Sequence, residues 1–403
     1  MRLPVYLDYH ATTPCDPEVV AAMQPFFTEF FGNASSRQHG YGRQAESAVE
    51  VARGQIAEMI HAAPKEVILT SGATESNNLA IKGVVDGAGK GGRHLITAAT
   101  EHASVLEACR HLERQDHQVS ILSVDRFGVI DPEELRRALR PETVLVSIAM
   151  ANNEIGTVAA IAEVAHLAHE HDVLVHSDVA QAVGKVPVDV KSLGLDLASL
   201  SAHKMYGPKG SGALYLRSGL AANRLAPLLH GGGQERGLRP GTLNVPAIVG
   251  FGKAAELWRG LMATEIARVL SLRTLLHDLL KEGLPDLALN GHPAERLPGN
   301  LNLSLPGTDS EALLAVLRKD VALSSGAACS SDVHRPSHVL QAIGVRPELI
   351  AASLRIGIGR FSTEEEIRFA AWRLIEAASR LRRSARPAKA TAATKIELLD
   401  EVH

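Results

Sequence analysis

Lys204 closes the stretch Ser201-Ala202-His203-Lys204, which follows the apolar run Leu195-Asp196-Leu197-Ala198-Ser199-Leu200 and precedes the turn Gly207-Pro208. A lysine held between a strand end and a tight turn is partly buried. Burial disfavours its ammonium form and leaves a neutral, nucleophilic amine near neutral pH, the state needed to form an imine with an aldehyde. An aldehyde cofactor that acts as an electron sink through a ring also needs an acid to keep its ring nitrogen protonated. Asp178 ends the run Val173-Leu174-Val175-His176-Ser177-Asp178, a predicted buried parallel strand whose carboxyl end opens onto a ligand crevice. Gln181, three residues on, is placed to donate to a ring oxygen. Pyridoxal phosphate is the cofactor that combines these requirements.

Its phosphate needs a cradle. Val67-Ile68-Leu69-Thr70-Ser71-Gly72-Ala73-Thr74-Glu75 reads as a strand, a small-residue turn and a helix start, so that free backbone N–H groups around Ala73 and Thr74 and the helix dipole favour an anion there. Ser201 and His203, which flank Lys204, are positioned to complete the cup. The segment Gly83-Val84-Val85-Asp86-Gly87-Ala88-Gly89-Lys90 is not a Walker loop, because its glycine spacing is wrong and Gly91 follows the lysine. It is predicted to be a surface turn.

Tyr6-Leu7-Asp8-Tyr9 with Ala11-Thr12-Thr13, Ser71 to Asn78, Thr100-Glu101-His102, Asn152-Asn153-Glu154-Ile155-Gly156, Ser201 to Lys204 and Gly231-Gly232-Gly233-Gln234-Glu235-Arg236 occur in that order. Together they resemble the cysteine desulfurases of the iron–sulfur-cluster and nitrogen-fixation type, within the class V aminotransferase-like enzymes of fold type I. The resemblance runs from about residue 5 to about residue 375. It implies an α/β chain with a large domain built on a mostly parallel sheet, a smaller α+β domain, and pyridoxal 5'-phosphate as cofactor.

The resemblance also implies roles. Cys329, in Ser324-Ser325-Gly326-Ala327-Ala328-Cys329-Ser330-Ser331, stands where the long-loop form of the family has its catalytic thiol, and so many small residues leave little apolar bulk to pack the loop down. His102 matches the imidazole that stacks on the pyridoxal ring and shuttles protons. Asn153 matches a residue that contacts cofactor and substrate. Arg355, in the alternating strand Leu354-Arg355-Ile356-Gly357-Ile358, matches the guanidinium that grips the substrate carboxylate in a bidentate fork. Thr242, in Arg239-Pro240-Gly241-Thr242, matches a residue that reaches the cofactor phosphate of the other subunit, which implies a homodimer.

The remaining chemistry-bearing residues read as structural. Cys15 lies in a Pro-flanked turn and Cys109 on an apolar helix stripe. Three cysteines without a CxxC pair provide neither a disulfide framework nor a thiolate zinc site. Of the 18 histidines, His166, His169 and His171 fall at a predicted helix end and His176 along the next strand, so no metal site is expected. The formal charge of -3 argues against a nucleic-acid or membrane surface. With no signal-peptide pattern and no apolar span of membrane length, the expected compartment is the cytoplasm.

Positioning these residues requires a sizeable core, which 403 residues with 45% hydrophobic content allow. Helix and strand patterns alternate from about residue 45 to 217, as a mostly parallel sheet demands. An amphipathic helix is predicted from about Lys253 to Lys281. The strand Leu301-Asn302-Leu303-Ser304-Leu305, a helix after Asp309, the Cys329 loop and a helix capped by Thr363 and Glu366 follow it. The expected division is a large cofactor-binding domain over 16–260, a small domain formed by 1–15 with 261–385, and a flexible tail over 386–403 that is dispensable for chemistry.

The activity implied is conversion of L-cysteine to L-alanine with the sulfur left as a persulfide on Cys329, destined for an acceptor protein. A selenocysteine lyase or a class V aminotransferase would share Lys204 and Asp178, and a non-catalytic cofactor-binding scaffold for a sulfur-assembly partner would share the fold. Only the products separate these alternatives.

Overall fold

The computed structural model describes residues 1–89, 93–220, 224–325 and 336–385; Cys329, Lys90 and the tail 386–403 lie outside them. Seven strands form the large sheet: β2 (Val67–Thr70), β3 (His94–Ala98), β4 (Gln118–Leu122), β5 (Thr143–Ser147), β6 (Leu174–Asp178), β7 (Leu197–Ser201) and β8 (Gly212–Leu216), following the N-terminal β1 (Val5–Tyr6). Their order is β2-β8-β7-β6-β5-β3-β4, and β8 alone runs against the rest. Successive strand residues point to opposite faces. Ile68, Leu95, Leu145, Leu174 and Leu197 enter one core with Leu79 and Val105, whereas Leu69, Ile96, Val146, Val175 and Ala198 enter the other with Ile56 and Phe251. Each such large apolar side chain, once fully buried, contributes about 2 kcal/mol relative to exposure.

Polar residues inside this sheet are matched to one another. His94 bonds Thr143 Oγ1 at 2.8 Å and Ser120 Oγ at 2.9 Å. His176 bonds Ser147 Oγ at 2.8 Å and Ser199 Oγ at 2.9 Å, and burial pushes its imidazole down to about 4. Both ring nitrogens of His176 are thus spent on cross-strand hydroxyls, which is what a fully buried strand requires of a polar side chain.

The small sheet has the order β12 (Ser324–Ser325), β13 (Ser353–Gly357), β10 (Asn300–Ser304), β9 (Ala288–Leu289), all antiparallel, and β1 pairs in parallel with β11 (Val321–Ala322). Val5 and Leu7 therefore enter the core made by Leu301, Leu303, Leu354 and Ile356. The alternation in β10 suggests one solvated face, yet every residue of β10 is buried. Its polar face meets the rest of the molecule: Asn300 and Asn302 donate to the Glu154 carbonyl at 3.1 and 3.3 Å, and Ser304 Oγ bonds Ser353 Oγ at 2.8 Å.

The helix predicted from Lys253 runs from Val245 to Gly283. Asn244 caps it by accepting from Ala247 N at 3.3 Å, and Pro246 sits in the first turn, where its missing N–H costs nothing. Pro246, Gly250 and Gly252 lower the apparent propensity of this segment, but Gly252 is needed for close packing: a Cβ there would lie 2.6 Å from Ala52 Cα. Val245, Ile248, Phe251, Ala254, Ala255 and Trp258 are buried against the large sheet, and Val269, Leu272, Leu276 and Leu280 against the small one. The helix capped by Thr363 starts as expected, with Thr363 N donating to Glu366 Oε2 at 2.9 Å.

One expectation fails. The turn predicted from Gly83 is instead the last part of the helix Ala73–Gly87, with Val84 and Val85 buried. Gly83 serves packing here, since a Cβ would lie 2.6 Å from the Ala226 carbonyl and 2.8 Å from Leu225 Cδ1. Among the described residues no helix is long and apolar enough to cross a membrane.

Candidate active site

Because β2, β3, β5, β6 and β7 point the same way, their carboxyl ends deliver Gly72, His102, Asn153, Asp178 and Lys204 to one edge of the sheet. They line a single cleft of about 780 Å³. β13 closes it from the small sheet with Arg355. Of the residues singled out in the sequence, Ala73, Thr74, Gln181, Ser201 and His203 line the same cleft.

Lys204 ends the 3-10 turn Ala202–Lys204 that follows β7. Its Nζ donates to the carbonyls of His10 and Ala11 at 2.6 and 2.8 Å. Burial, helped by the positive charge of Arg355 and opposed by Asp178 and Asp8, pushes the amine down from 10.5 to about 8. A larger neutral fraction than an exposed lysine would have is therefore present near neutral pH, as imine chemistry requires.

Asp178 Oδ1 accepts from Ala180 N at 2.9 Å and Oδ2 from Asn77 Nδ2 at 2.8 Å. The same Asn77 amide donates to Ser104 Oγ at 2.8 Å, and Ser104 Oγ lies 2.8 Å from His102 Nδ1. His102 caps the helix Ala103–Glu113 and is tied to Asp178 through two intervening side chains. Burial lowers the His102 pKa, with Lys204 and His338 adding to the effect and Asp178 opposing it. Gln181 is fixed by His10: Nε2 donates to the His10 carbonyl at 2.9 Å and Oε1 lies 3.3 Å from Nδ1. His203 Nδ1 lies 3.0 Å from Thr12 Oγ1, and burial with nearby lysine charge lowers its imidazole to about 4.

The helix beginning at Ala73 presents its first amides, including those of Ala73 and Thr74, without intrahelical acceptors. Gly72 precedes it at φ 155°, a conformation suited to glycine. Glu75 does not compete for the cup, since its carboxylate is engaged by Ser71 N at 2.8 Å and by Arg239 Nε at 2.9 Å.

Over residues 5–369 the chain matches the family model Aminotransferase class-V. It is 51% identical over 370 residues to a cysteine desulfurase IscS of Anaeromyxobacter sp. (strain K), covering 92% of this chain and 91% of the relative. The chain belongs to the cysteine desulfurases of this family. Among solved structures, a NifS-like protein superposes with a TM-score of 0.87 at 36% identity, covering 94% of this chain and all of that one. SspA in complex with cysteine superposes with a TM-score of 0.76 at 34% identity, covering 89% and 100%.

Members of the family use pyridoxal phosphate. The cleft of this desulfurase family member fits that group on its own evidence. Asp178 is buried, yet among the described residues it pairs with no lysine or arginine; amides alone hold it, leaving an acceptor suited to a protonated ring nitrogen. Lys204 would supply the amine, and the first amides after Gly72, with Ser201 and His203 in the same cleft, would form the anion cup.

One expected participant is not brought together with the rest. Thr242 is exposed and does not line the cleft, and Cys329 lies outside the described residues. Cys109 is buried, with its thiol pushed up to about 12, and Cys15 is half-buried with a raised pKa. Sequence reasoning missed Asp8, His10, Asn77, Ser104 and Lys185. Asp8 and Asn77 fall inside recognisable motifs, but a motif does not say which neighbour a side chain meets. His10 contributes a carbonyl, which every residue type has.

Proposed function

We propose that the chain removes sulfur from L-cysteine, releasing L-alanine and leaving a persulfide on Cys329 for transfer to a sulfur-acceptor protein. The observation that carries this reading is the convergence of the Lys204 amine and the Arg355 guanidinium in one cleft, the first from the large sheet and the second from the small. Arg355 holds the substrate carboxylate, and this orients the α-carbon toward Lys204. Bound pyridoxal phosphate supplies an electron sink conjugated to that carbon. Neutral Lys204 takes the α-proton and His102 moves protons at the cofactor side, while the Asp178 carboxylate would serve as partner to the ring nitrogen. The Cys329 thiolate attacks the substrate sulfur; an S–S bond forms, the C–S bond breaks and its electron pair passes to carbon, where a proton completes alanine. The sum, cysteine plus thiol giving alanine plus persulfide, is redox-neutral.

Ala73, Thr74, Ser201 and His203 hold the phosphate, Gln181 the ring oxygen and Asn153 the cofactor and substrate side. Thr242, exposed on its own subunit, completes the cup of a partner, so the working unit is a homodimer. The chain operates as a large domain over 16–260, a small domain over 1–15 and 261–385, and a tail over 386–403. A thiol that cycles through a persulfide suits a reducing compartment, the cytoplasm. The test is to supply L-cysteine or L-selenocysteine and to measure alanine and Cys329 persulfide by mass spectrometry. Cys329→Ser is expected to retain the cofactor and bind cysteine yet form neither product; wild-type alanine production by this variant would refute the thiol mechanism.

A further inference from the structure

A second lysine ties the turn carrying Lys204 to the segment carrying Gln181. Lys185 Nζ donates to the main-chain carbonyl of Lys204 at 3.1 Å and to that of Gln181 at 3.3 Å. Lys204 Nζ and Gln181 Nε2 both donate to the carbonyl of His10, at 2.6 and 2.9 Å. Lys185, Lys204, His10 and Gln181 therefore close a hydrogen-bonded circuit, in which Lys185 fixes main chain while Lys204 and Gln181 present side chains to the cleft.

Lys185 does not line that cleft. It lines a crevice of about 20 Å³ at the seam of the two cores, with Tyr9, Tyr206, Glu265 and Gly359. Among the described residues it pairs with no carboxylate, because Glu265 is taken by Arg360 Nε at 2.8 Å. An amine kept there without a direct carboxylate partner is costly unless its donors are engaged, and the two carbonyls engage them.

We propose that Lys185 is a positioning residue for the desulfuration reaction: it fixes the main chain of Lys204 and Gln181, so that the Lys204 amine returns to one location each time it leaves the cofactor and takes a proton. This rests on the reading of Lys204 as the cofactor lysine. Burial first, and then the charge of Lys204, lower the Lys185 amine from 10.5 to about 7, with Glu265 opposing. Its contacts are accordingly charge-assisted below that pH and weaker above it. The titratable groups facing it are Lys204, Glu265, Tyr9 and Tyr206, and its charge also depresses His10 and His203.

The experiment compares wild-type, Lys185→Met and Lys185→Gln holoenzymes. Three readouts are taken: the pH titration of the bound cofactor's visible absorbance without substrate, kcat and KM for L-cysteine across pH, and the melting temperature. Lys185→Met, which removes the donors at similar length, is expected to lower kcat on the order of tenfold with KM within about twofold. It is also expected to move the cofactor titration midpoint by about half a unit or more. Lys185→Gln, which returns amide donors without charge, should recover part of kcat and lose any kcat–pH limb near neutrality. An unchanged kcat and midpoint in Lys185→Met overturns the proposal, as does a lower kcat that follows only melting temperature and cofactor content. Should Lys185→Met fail to fold, a Lys185→Gln variant with the wild-type pH profile overturns it alone. Wild-type protein that makes no alanine from cysteine would instead refute the functional reading, which the substrate-free titration does not depend on.

Discussion

Arg355 Nη2 lies 3.0 Å from Asp8 Oδ1 and 3.2 Å from Ser324 Oγ, while its buried Nε has no partner among the described residues. One arm of the guanidinium is thus anchored, and the planar group is oriented in advance with donors to spare.

Arg355→Lys should therefore raise KM for L-cysteine by about tenfold or more, because an ammonium cannot keep Asp8 and also grip a carboxylate in a fork. The cofactor spectrum should not change, since Asp178, Lys204 and the anion cup are untouched. Steady-state kinetics and an absorbance spectrum check both expectations, and an unchanged KM refutes the assignment.

Lys204→Ala should abolish the visible absorbance of the linked cofactor and all turnover. Asp178 and the phosphate cup remain, so cofactor is expected to bind without covalent attachment. Borohydride reduction followed by peptide mapping reads this directly; fixation at another lysine would show that Lys204 has been wrongly assigned.

Glu101 is buried, with Oε1 accepting from Ala149 N at 2.8 Å and Oε2 lacking a partner among the described residues. Burial, helped by the charge of Asp178, raises its carboxyl from 4.5 to about 8. The folded protein thus binds a proton that the unfolded chain releases between these values, and this contribution to stability is full below about pH 4.5 and lost as pH rises through about 8. Glu101→Gln should flatten that part of the melting profile of the holoenzyme between pH 5 and 8.5. Equal slopes for wild type and variant would contradict the neutral assignment.

The hydrophobic alternation, the helix caps and the order of short polar motifs were legible in the residues, because strand period, cap chemistry and a lysine beside a turn are local properties. The Thr363–Glu366 cap and β6 ending at Asp178 follow from such signals. The start of the long helix at Val245, ahead of Lys253, and the helical Gly83 did not, since in both places tertiary contact overrides a low propensity: Gly252 and Gly83 let the backbone approach Ala52 and Ala226. Tertiary structure alone decided which polar groups meet. Asn77 reaches Asp178 across 101 residues, Asp8 reaches Arg355 across 347, and Lys185 holds the carbonyl of Lys204 from 19 residues away. Such pairings depend on sheet order and on how β13 packs beside the N-terminal segment. A hydrogen bond has no sequence period, so candidate residues could be singled out one by one, but the network that orients them appears only once the chain is folded.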